Sequence, residues 1–461
     1  MAHKETGSGL DADDPPTNDP GIPEQRPEIS FDQSETNWRA FVRIWSGQTL
    51  SGVGTTATYY GLAIWTYQTT GSTSSLSLVL LASLFPQIAV LPLAGALIDR
   101  LDRRRLMMGA DSVAALATVV LIGLFASGRL TTLNMAVVVA VGSIFQGIQS
   151  PAFSSVTTSL VARRDRNRAG GLAQVGQAVP TVVGPIVAGA LLAAVDIGWV
   201  FVLDLVSFGA ALLTLLLTSV PRAEKTVAGQ AGAGTIRHEV ATAARYLLDK
   251  RGLAYLIALI AAANILLAFF NIYLFPVLLS VGDERTVGLI AGLGALGMTA
   301  GAILMSVWTG PSRRMPLIFG ASGAIAVASM VFGVAHHRIV LGAALLVAYS
   351  ALAVASSSTQ PIVQNKVEVD LQGRVFALRR MVGLSTMPIV YIAAGPLADR
   401  ILAPRVVEDA EGWLASVVGT GDGRAAAAGI FLVGALTLIV VAAFMLVKPL
   451  RNVESDLPDL S

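Results

Sequence analysis

The sequence predicts an all-α membrane protein with about twelve transmembrane helices, arranged as two pseudo-symmetric six-helix bundles. The first observation is composition: 54% of the residues are hydrophobic, 13% are charged and the mean hydropathy is +0.67, whereas a soluble domain carries about 25% charged residues. The second observation is a series of long apolar runs, and the third is an internal repeat. Strands are excluded because the runs lack the alternation of a membrane barrel, and a helix satisfies its own backbone in lipid.

The apolar runs place twelve predicted helices along the chain. Each run is long enough to cross a bilayer, which requires roughly 20 apolar residues. The runs cover about 41–67, 74–98, 106–127, 133–160, 171–195, 199–220, 252–280, 286–309, 315–335, 339–363, 380–401 and 426–447.

The segments outside the bundles differ in composition from the helices. Residues 1–37 contain nine acidic and two basic side chains and no apolar run, so we expect a disordered acidic cytoplasmic tail. We expect residues 38–220 to form the N-terminal bundle, 221–251 a cytoplasmic linker with an amphipathic helix, 252–447 the C-terminal bundle and 448–461 a second cytoplasmic tail.

The distribution of basic residues predicts the orientation. If both termini are cytoplasmic, the inner loops carry 20 Lys and Arg residues, while the outer loops carry six: Arg129, Arg285, Arg338, Arg400, Arg405 and Arg424. Loops rich in Lys and Arg stay on the cytoplasmic side, so both termini are predicted to be cytoplasmic. This orientation explains the sequence pI of about 8.9 without a nucleic-acid partner.

The two halves of the chain share a repeat. Gly189 lies seventeen residues after Leu172 in the first half, and Gly395 lies seventeen residues after Leu378 in the second. Such a repeat predicts two bundles related by an axis along the membrane normal, with a path for a small molecule between them near the membrane midplane.

A dense group of charges separates the second and third predicted helices. Asp99 lies at the end of helix 2, where the helix dipole disfavours a carboxylate, so it requires another partner. Gly95 would let the neighbouring bundle approach closely. When the two repeats are aligned, Gly310 of the second half corresponds to Asp99 of the first, so the second half lacks this acidic residue. The alternative to a specific partner for Asp99 is that these charged residues are solvated and only fix the orientation of the chain in the membrane.

This group and several other motifs resemble the major facilitator superfamily, and within it the macrolide-efflux-like drug exporters, a branch that also includes siderophore exporters. The resemblance covers Trp38 to Pro449 and rests on segments such as Gly47-Gln48-Thr49-Leu50-Ser51, Asp99-Arg100-Leu101-Asp102-Arg103-Arg104 and Gly373-Arg374-Val375-Phe376. It implies a cytoplasmic gating motif of Gly95, Asp99, Arg100, Asp102, Arg103 and Arg104, with Asp99 facing Arg379 and Arg380 at the start of helix 11.

Helix 5 contains a second motif of this kind. Its residues Gly184, Pro185 and Gly189 resemble the Gly-Pro motif of superfamily antiporters, which export a substrate in exchange for protons. Proline removes a helix hydrogen bond and bends the helix, while the glycines allow tight packing. The alternative is an ordinary kinked packing helix.

Two aspartates are candidates for proton coupling. Asp204 in helix 6 and Asp111 in helix 3 are ionisable groups inside apolar runs, which makes each a functional hypothesis. The alternatives are a packing hydrogen bond for Asp204 and an ion pair with loop arginines for Asp111. No Glu, Lys or Arg lies in the middle of a span. The predicted cavity is therefore nearly uncharged, which suits a bulky amphipathic substrate.

Polar and aromatic residues in helices 1, 4, 7 and 10 are candidates for the substrate path, because the resemblance assigns these helices to the cavity. They are Gln48, Thr55, Tyr59, Gln146, Phe153, Asn264, Asn271, Tyr349, Ser356 and Gln360. Hydrogen bonding between helices is the alternative for each of them.

Enzyme motifs are absent from the sequence. None of the five lysines follows a glycine, so no Walker A loop exists, and the four histidines form no HExxH spacing. The chain contains no cysteine. We therefore expect no catalytic residues, no metal and no cofactor, and transport driven by the proton motive force.

These observations predict a monomeric, multi-pass exporter in the bacterial inner membrane, in contact with membrane lipid and a small-molecule substrate. By the resemblance, it would export hydrophobic or amphipathic compounds, macrolide-like drugs or secondary metabolites, by alternating access with proton antiport. One alternative is a siderophore or lysophospholipid exporter of the same fold. The other is a transport-inactive scaffold or sensor that acts through the acidic tail.

Overall fold

Twelve long helices make up most of the computed structural model, which describes residues 36–219, 245–308, 311, 313–408 and 411–456. The N-terminal half contains α1 (Trp38–Thr70), α2 (Thr73–Arg100), α3 (Arg103–Ala126), α4 (Thr132–Leu160), α5 (Arg166–Ala194) and α6 (Ile197–Leu216). The C-terminal half contains α7 (Arg251–Leu279), α8 (Glu284–Val307), α9 (Met315–Val334), α10 (Arg338–Lys366), α11 (Val369–Pro396) and α12 (Arg424–Leu446). Short helical turns cover Arg163–Asp165, Leu397–Leu402, Pro404–Glu408, Trp413–Val418, Lys448–Arg451 and Val453–Asp456.

The predicted all-α membrane class is confirmed. Within the described ranges no strand occurs, and eleven helices are long and apolar enough to cross a membrane. The remaining long helix, α1, has 33 residues but a more polar sequence. Its polar side chains Ser51, Thr58 and Thr66 are buried.

One predicted boundary is wrong. The apolar run predicts that helix 11 begins near residue 380, whereas α11 begins at Val369. The first turns of α11 are amphipathic: Val375 is fully buried, while Arg374 and Arg380 are exposed. A search for uninterrupted apolar runs misses such a segment because charged residues interrupt the apolar ones.

Short polar side chains explain where several helices begin. Ser72, Asp102 and Asp196 precede α2, α3 and α6, and each accepts a hydrogen bond from a backbone N–H of the first turn. Asp283 does the same for α8, and the Thr286 hydroxyl and N–H groups that donate to it hold the pKa of Asp283 below its ordinary value. These residues fix the helix ends locally.

Both described chain ends lie at the same face of the molecule. The N–H of Asn37 donates to the carbonyl of Leu160 at the end of α4 over 3.0 Å, and Glu454 contacts the start of α9. We call this the inner face, and the face with the α1–α2, α5–α6 and α11–α12 connections the outer face. The predicted tail 1–37 and linker 221–251 fall largely outside the described residues, which include only 36–37 and 245–251 of them.

The two halves pack together near the outer face. Helix α2 lies against α11 and α5 lies against α8, and one apolar cluster joins Ile64 and Leu80 of the first half to Tyr273, Ile290 and Ala394 of the second. At this face hydrogen bonds join Gln68 of α1 to Glu284 of α8, and Ser72, Thr73 and Ser74 at the start of α2 to Asp399. The molecule is therefore closed on the outer side.

Glycines bring α5 and α8 into backbone contact. A Cβ atom on Gly189 would overlap the carbonyl oxygen of Glu284 and the backbone of Gly288. A Cβ atom on Gly288 would in turn overlap the carbonyl of Pro185. Small residues allow this close approach of membrane helices, and any larger side chain would separate them.

The end of the described chain caps α9 at the inner face. The carboxylate of Glu454 accepts hydrogen bonds from the N–H groups of Arg314 and Met315, each over 2.9 Å, and its own carbonyl accepts from Lys366 Nζ over 2.7 Å. A carboxylate satisfies the free N–H groups of a helix start and is favoured there by the helix dipole.

We expect Glu454→Ala to lower the free energy of unfolding by about 1 kcal/mol, the usual effect of losing a helix cap. Thermal unfolding in detergent micelles measures the change. Asp456→Ala is the matched control, because Asp456 is exposed and its carboxylate accepts, within the described ranges, only from its neighbour Ser455, over 3.4 Å. Equal unfolding temperatures for the two variants would refute the capping role.

Candidate functional site

Two cavities lie mainly inside the N-terminal half and meet at its centre. The outer cavity has a volume of about 410 Å³ and is bounded by α1, α2, α3, α4, α6 and Tyr391 of α11. The inner cavity has about 350 Å³ and extends between α1, α3, α4 and α5 toward the inner face. Both are lined by Thr55, Gln87, Ala114, Gln146 and Phe208. Together they form one path about the size of a drug-like ligand site.

Asp204 lies at the outer cavity, buried between three helices. Only 3% of its surface is exposed. Its carboxylate accepts hydrogen bonds from Thr118 Oγ1 over 2.9 Å and from Thr55 Oγ1 over 3.4 Å. No basic side chain forms an ion pair with it among the described residues. The carboxyl group is thus held by hydroxyls alone, next to open space.

Asp111 lies at the inner cavity and is equally buried, at 3% exposure. Gln48 Nε2 donates to its carboxylate over 3.0 Å, and Gln149 Nε2 donates to Gln48 Oε1 over 2.8 Å. Gln149 Oε1 is buried and has no hydrogen-bond partner within the described chain. Ion pairs with loop arginines are the alternative for Asp111, but Arg103 donates to the carbonyl of Ser155, and Arg104 donates to the carbonyls of Leu215 and Leu216.

A further contact connects the two aspartate sites along the cavity wall. Gln146 Nε2 donates to Thr55 Oγ1 over 3.3 Å, and Thr55 donates to Asp204. Gln146 lies one helical turn from Gln149, which contacts the Asp111 site. The two carboxylates therefore share one polar wall of α1 and α4.

Aromatic side chains close the path on the outer side. The ring centroids of Tyr59 and Tyr60 are 5.6 Å apart, and those of Tyr60 and Phe275 are 5.4 Å apart in an edge-on arrangement. Tyr391 from α11 lines the same end of the outer cavity. These rings come from both halves, so they can close the cavity only while the outer sides of the two halves are in contact.

The charge of the path is low. No Lys, Arg, Glu or His occurs among the described residues that line either cavity, and the only carboxylates are Asp111 and Asp204. Within the described chain no group of His, Asp and Glu side chains could hold a metal ion. The walls otherwise consist of apolar, aromatic, amide and hydroxyl groups, which suit a ligand with apolar and hydrogen-bonding parts.

The predicted path residues of the first half lie together, whereas those of the second half do not join them. Gln48, Thr55, Tyr59, Gln146 and Phe153 all line the two cavities. In the second half, Tyr349 Oη donates to Asn271 Oδ1 over 2.9 Å, Arg379 donates to Gln360 over 3.0 Å, Asn264 lies against Gly383, and Ser356 is exposed. Tyr349 lines a separate apolar cavity of about 50 Å³ between α7, α9, α10 and α12.

Four of the eight predicted gating residues form hydrogen bonds within their own half. Asp102 caps α3, Arg103 donates to the carbonyl of Ser155, and Arg104 bonds the end of α6. Arg379 bonds α10, and Arg380 is exposed. The side chains of Asp99 and Arg100, and the surroundings of Gly95, lie outside the described residues. A contact between Asp99 and α11 therefore stays a prediction.

The predicted antiporter motif lies where three helices meet. A Cβ atom on Gly184 would overlap Thr56 of α1, while Gly189 faces α8 of the other half. Pro185 is buried, and its carbonyl lies beside Gly288. Through this motif α5 packs against α1 of its own half and against α8 of the C-terminal half.

Sequence reasoning missed several residues of the site. Thr118 donates to Asp204, Gln149 donates to Gln48, and Gln87 and Tyr391 line the cavities. One signal was available: Thr118 follows Asp111 by seven residues, so both lie on one face of α3. Tyr391 gave no such signal, because it reaches the cavity only through packing of the two halves.

Comparison with known proteins places these features in a family context. The chain is 26% identical to macrolide efflux protein A of Streptococcus pyogenes over 373 residues, covering 79% of this chain and 91% of that protein. It is also 26% identical to macrolide efflux protein A of Enterococcus faecalis over 329 residues, covering 69% and 99% respectively.

Solved structures share the fold. The nucleoside transporter NupG has a TM-score of 0.66 at 13% identity, covering 88% of this chain and 98% of that one. A bacterial homolog of the human lysosomal transporter Spinster, described as inward-facing and unoccupied, has a TM-score of 0.65 at 15% identity, with coverage of 92% and 98%. The D-xylose–proton symporter has a TM-score of 0.65 at 13% identity, with coverage of 90% and 98%.

The family model of the Major Facilitator Superfamily matches residues 44–407, most of the chain. This match and the relatives confirm the resemblance seen in the sequence, and they confirm a transporter rather than an enzyme. The chain belongs to the major facilitator superfamily, as a multi-pass membrane transporter with a small-molecule substrate.

Proposed function

We propose that this transporter exports hydrophobic or amphipathic small molecules, macrolide-like drugs or secondary metabolites, from the cytoplasm in exchange for protons. The observation that carries the proposal is the pair of joined cavities, whose described walls are apolar, aromatic and amide-bearing and contain no basic side chain. Anionic substrates such as sugar phosphates or nucleotides need basic clamps. An apolar compound with hydroxyl or ether groups needs none, and the unpaired acceptor Gln149 Oε1 suits a ligand hydroxyl.

The names of the relatives support the direction of transport. Both relatives are called macrolide efflux proteins. The cavity extends to the inner face in an inward-facing arrangement, which suits uptake of a substrate from the cytoplasm or the inner leaflet. This direction assumes that the inner face is cytoplasmic in a bacterial inner membrane, as the basic loops predict.

The two buried aspartates support proton coupling. Both carboxyl groups lie on the cavity wall with hydroxyl or amide partners and without a basic partner in the described chain. A carboxyl group in such a site can exist protonated or ionised, whereas a group in an ion pair is held ionised. A substrate bound in the outer cavity would lie next to Asp204, so that substrate binding and protonation of its carboxyl group would compete. Such competition is required for the exchange of substrate against protons.

Accumulation of a macrolide and dye panel in efflux-deficient bacteria tests the proposal. We expect cells that express the chain to accumulate less of at least one compound, and a protonophore to reverse the difference. Detection of the protein in the membrane fraction is the control. Equal accumulation of every compound with and without the protein would contradict drug export and would favour siderophore or lipid substrates. Efflux that persists in the presence of the protonophore would contradict proton coupling.

A further inference from the structure

A short sequence occurs twice at helix ends, on opposite faces of the membrane. Ala94-Gly95-Ala96-Leu97-Ile98-Asp99-Arg100 ends α2, and Ala394-Gly395-Pro396-Leu397-Ala398-Asp399-Arg400 spans the end of α11. The two segments are identical at five of seven positions. Helix α2 runs from the outer to the inner face and α11 runs the opposite way. The second copy is therefore an outer counterpart of the inner gating motif, and the repeat of the two halves does not reveal it.

Asp399 of the outer copy binds across the two halves. Its carboxylate accepts hydrogen bonds from Ser72 Oγ over 2.8 Å, from the N–H of Thr73 over 3.1 Å and from the N–H of Ser74 over 2.8 Å. The Ser72 hydroxyl oxygen caps only the N–H of Ser75. Asp399 thus satisfies the remaining N–H groups at the start of α2, where the helix dipole favours a negative charge.

The backbone of α11 is shaped for this contact. A Cβ atom on Gly395 would overlap the backbone of Ser74, so only glycine allows α11 to come this close to the start of α2. Asp399 then lies in the π-helical turn Leu397–Leu402 that follows Pro396. Such turns recur at functional sites because they redirect side chains out of the normal helical register.

We propose that Asp399 is an outer latch, which holds the transporter closed on the outer side by joining the end of α11 to the start of α2. These helices belong to different halves, so the bonds must break when the outer side opens. Three hydrogen bonds between the halves end on Asp399. The latch therefore favours the inward-facing form. The proposal depends on alternating access but not on the substrate or the coupling ion.

Distances between spin labels test the latch without any transport assay. The chain has no cysteine, so introduced cysteines are the only labelling sites. The exposed pair Ser127→Cys and Ser416→Cys reports on the outer face, and the exposed pair Asn167→Cys and Asn365→Cys reports on the inner face. Double electron–electron resonance on the full chain in lipid nanodiscs gives both distance distributions.

We expect Asp399→Ala to lengthen the outer distance and shorten the inner one. The ratio of outward- to inward-facing molecules should rise by about tenfold or more, because hydrogen bonds to a charged group are worth roughly one to two decades in an equilibrium constant. Gly395→Ala should shift the distances in the same direction through steric overlap, and it carries the test if the first variant fails to fold.

Asp196→Ala is the matched control. Asp196 caps α6 at the same face, accepting from the N–H of Gly198 over 2.8 Å, but it contacts only its own half. We expect this variant to unfold at a lower temperature with both distances unchanged. Unchanged distances in Asp399→Ala and Gly395→Ala would overturn the latch, as would an equal shift in Asp196→Ala.

Discussion

We expect Asp204→Asn to abolish uphill efflux while leaving downhill exchange of substrate intact. An amide has the shape of a carboxyl group: its oxygen can still accept from one of the hydroxyls of Thr118 and Thr55, and its NH2 group can donate to the other. It cannot take up and release a proton. The cavity and its closure should therefore persist, and only the link to the proton gradient should be lost. Proteoliposomes measure both modes: efflux against a substrate gradient with an imposed pH gradient, and exchange of labelled substrate without one.

Asp196→Asn controls for the loss of an aspartate in the same helix. Asp196 precedes α6 at the outer face and contacts no cavity, so the variant should keep both modes. Full uphill efflux by Asp204→Asn would exclude Asp204 as the obligatory proton carrier. Asp111→Asn would then be the next variant, since Asp111 is the other carboxyl group on the cavity wall.

The second large effect concerns the contact between α5 and α8. We expect Gly189→Leu to reduce transport to the background of cells without the protein, because the leucine side chain would overlap the backbone of Glu284 and Gly288. Overpacking of this kind costs about 1–3 kcal/mol, which disfavours the outer-closed form by roughly five- to 150-fold. Substrate efflux and the spin-label distances across the outer face both measure the result.

Gly171→Leu in the same helix separates this contact from effects on α5 itself. Among the described residues, no atom beyond the adjacent residues and the nearby backbone of α5 lies within 4 Å of a Cβ atom placed on Gly171. Leucine favours the helical conformation by roughly 0.5–1 kcal/mol relative to glycine. Neither Gly189→Leu nor Gly171→Leu should therefore destabilise α5 itself. Equal transport by the two variants would show that close packing of α5 on α8 is not required.

Helix positions could be predicted well where the signal was local. Apolar runs near 133–160 and 252–280 correspond to α4 (Thr132–Leu160) and α7 (Arg251–Leu279). The errors occur where charged and apolar residues share a helix, as in the first turns of α11. A hydropathy average cannot distinguish an amphipathic helix at the membrane surface from a loop, because it ignores which face each residue occupies.

The candidate site could be predicted only in part. Gln48, Thr55 and Gln146 were recognised as polar residues on cavity helices, and they line the path. Asn264 and Gln360 have the same sequence character but bond or pack within their own half. The sequence cannot distinguish these cases, because helix–helix hydrogen bonding and cavity lining use the same residue types.

The sequence by itself determined the helical class, the membrane environment and the presence of two carboxyl groups within the spans. These properties follow from length, hydropathy and residue type, which act locally along the chain. Only the tertiary structure decided that both cavities lie in the first half, that Tyr391 reaches them, and that Asp399 binds the start of α2. Each of these depends on how helices distant in sequence rotate and pack against one another, and local patterns carry no record of that geometry.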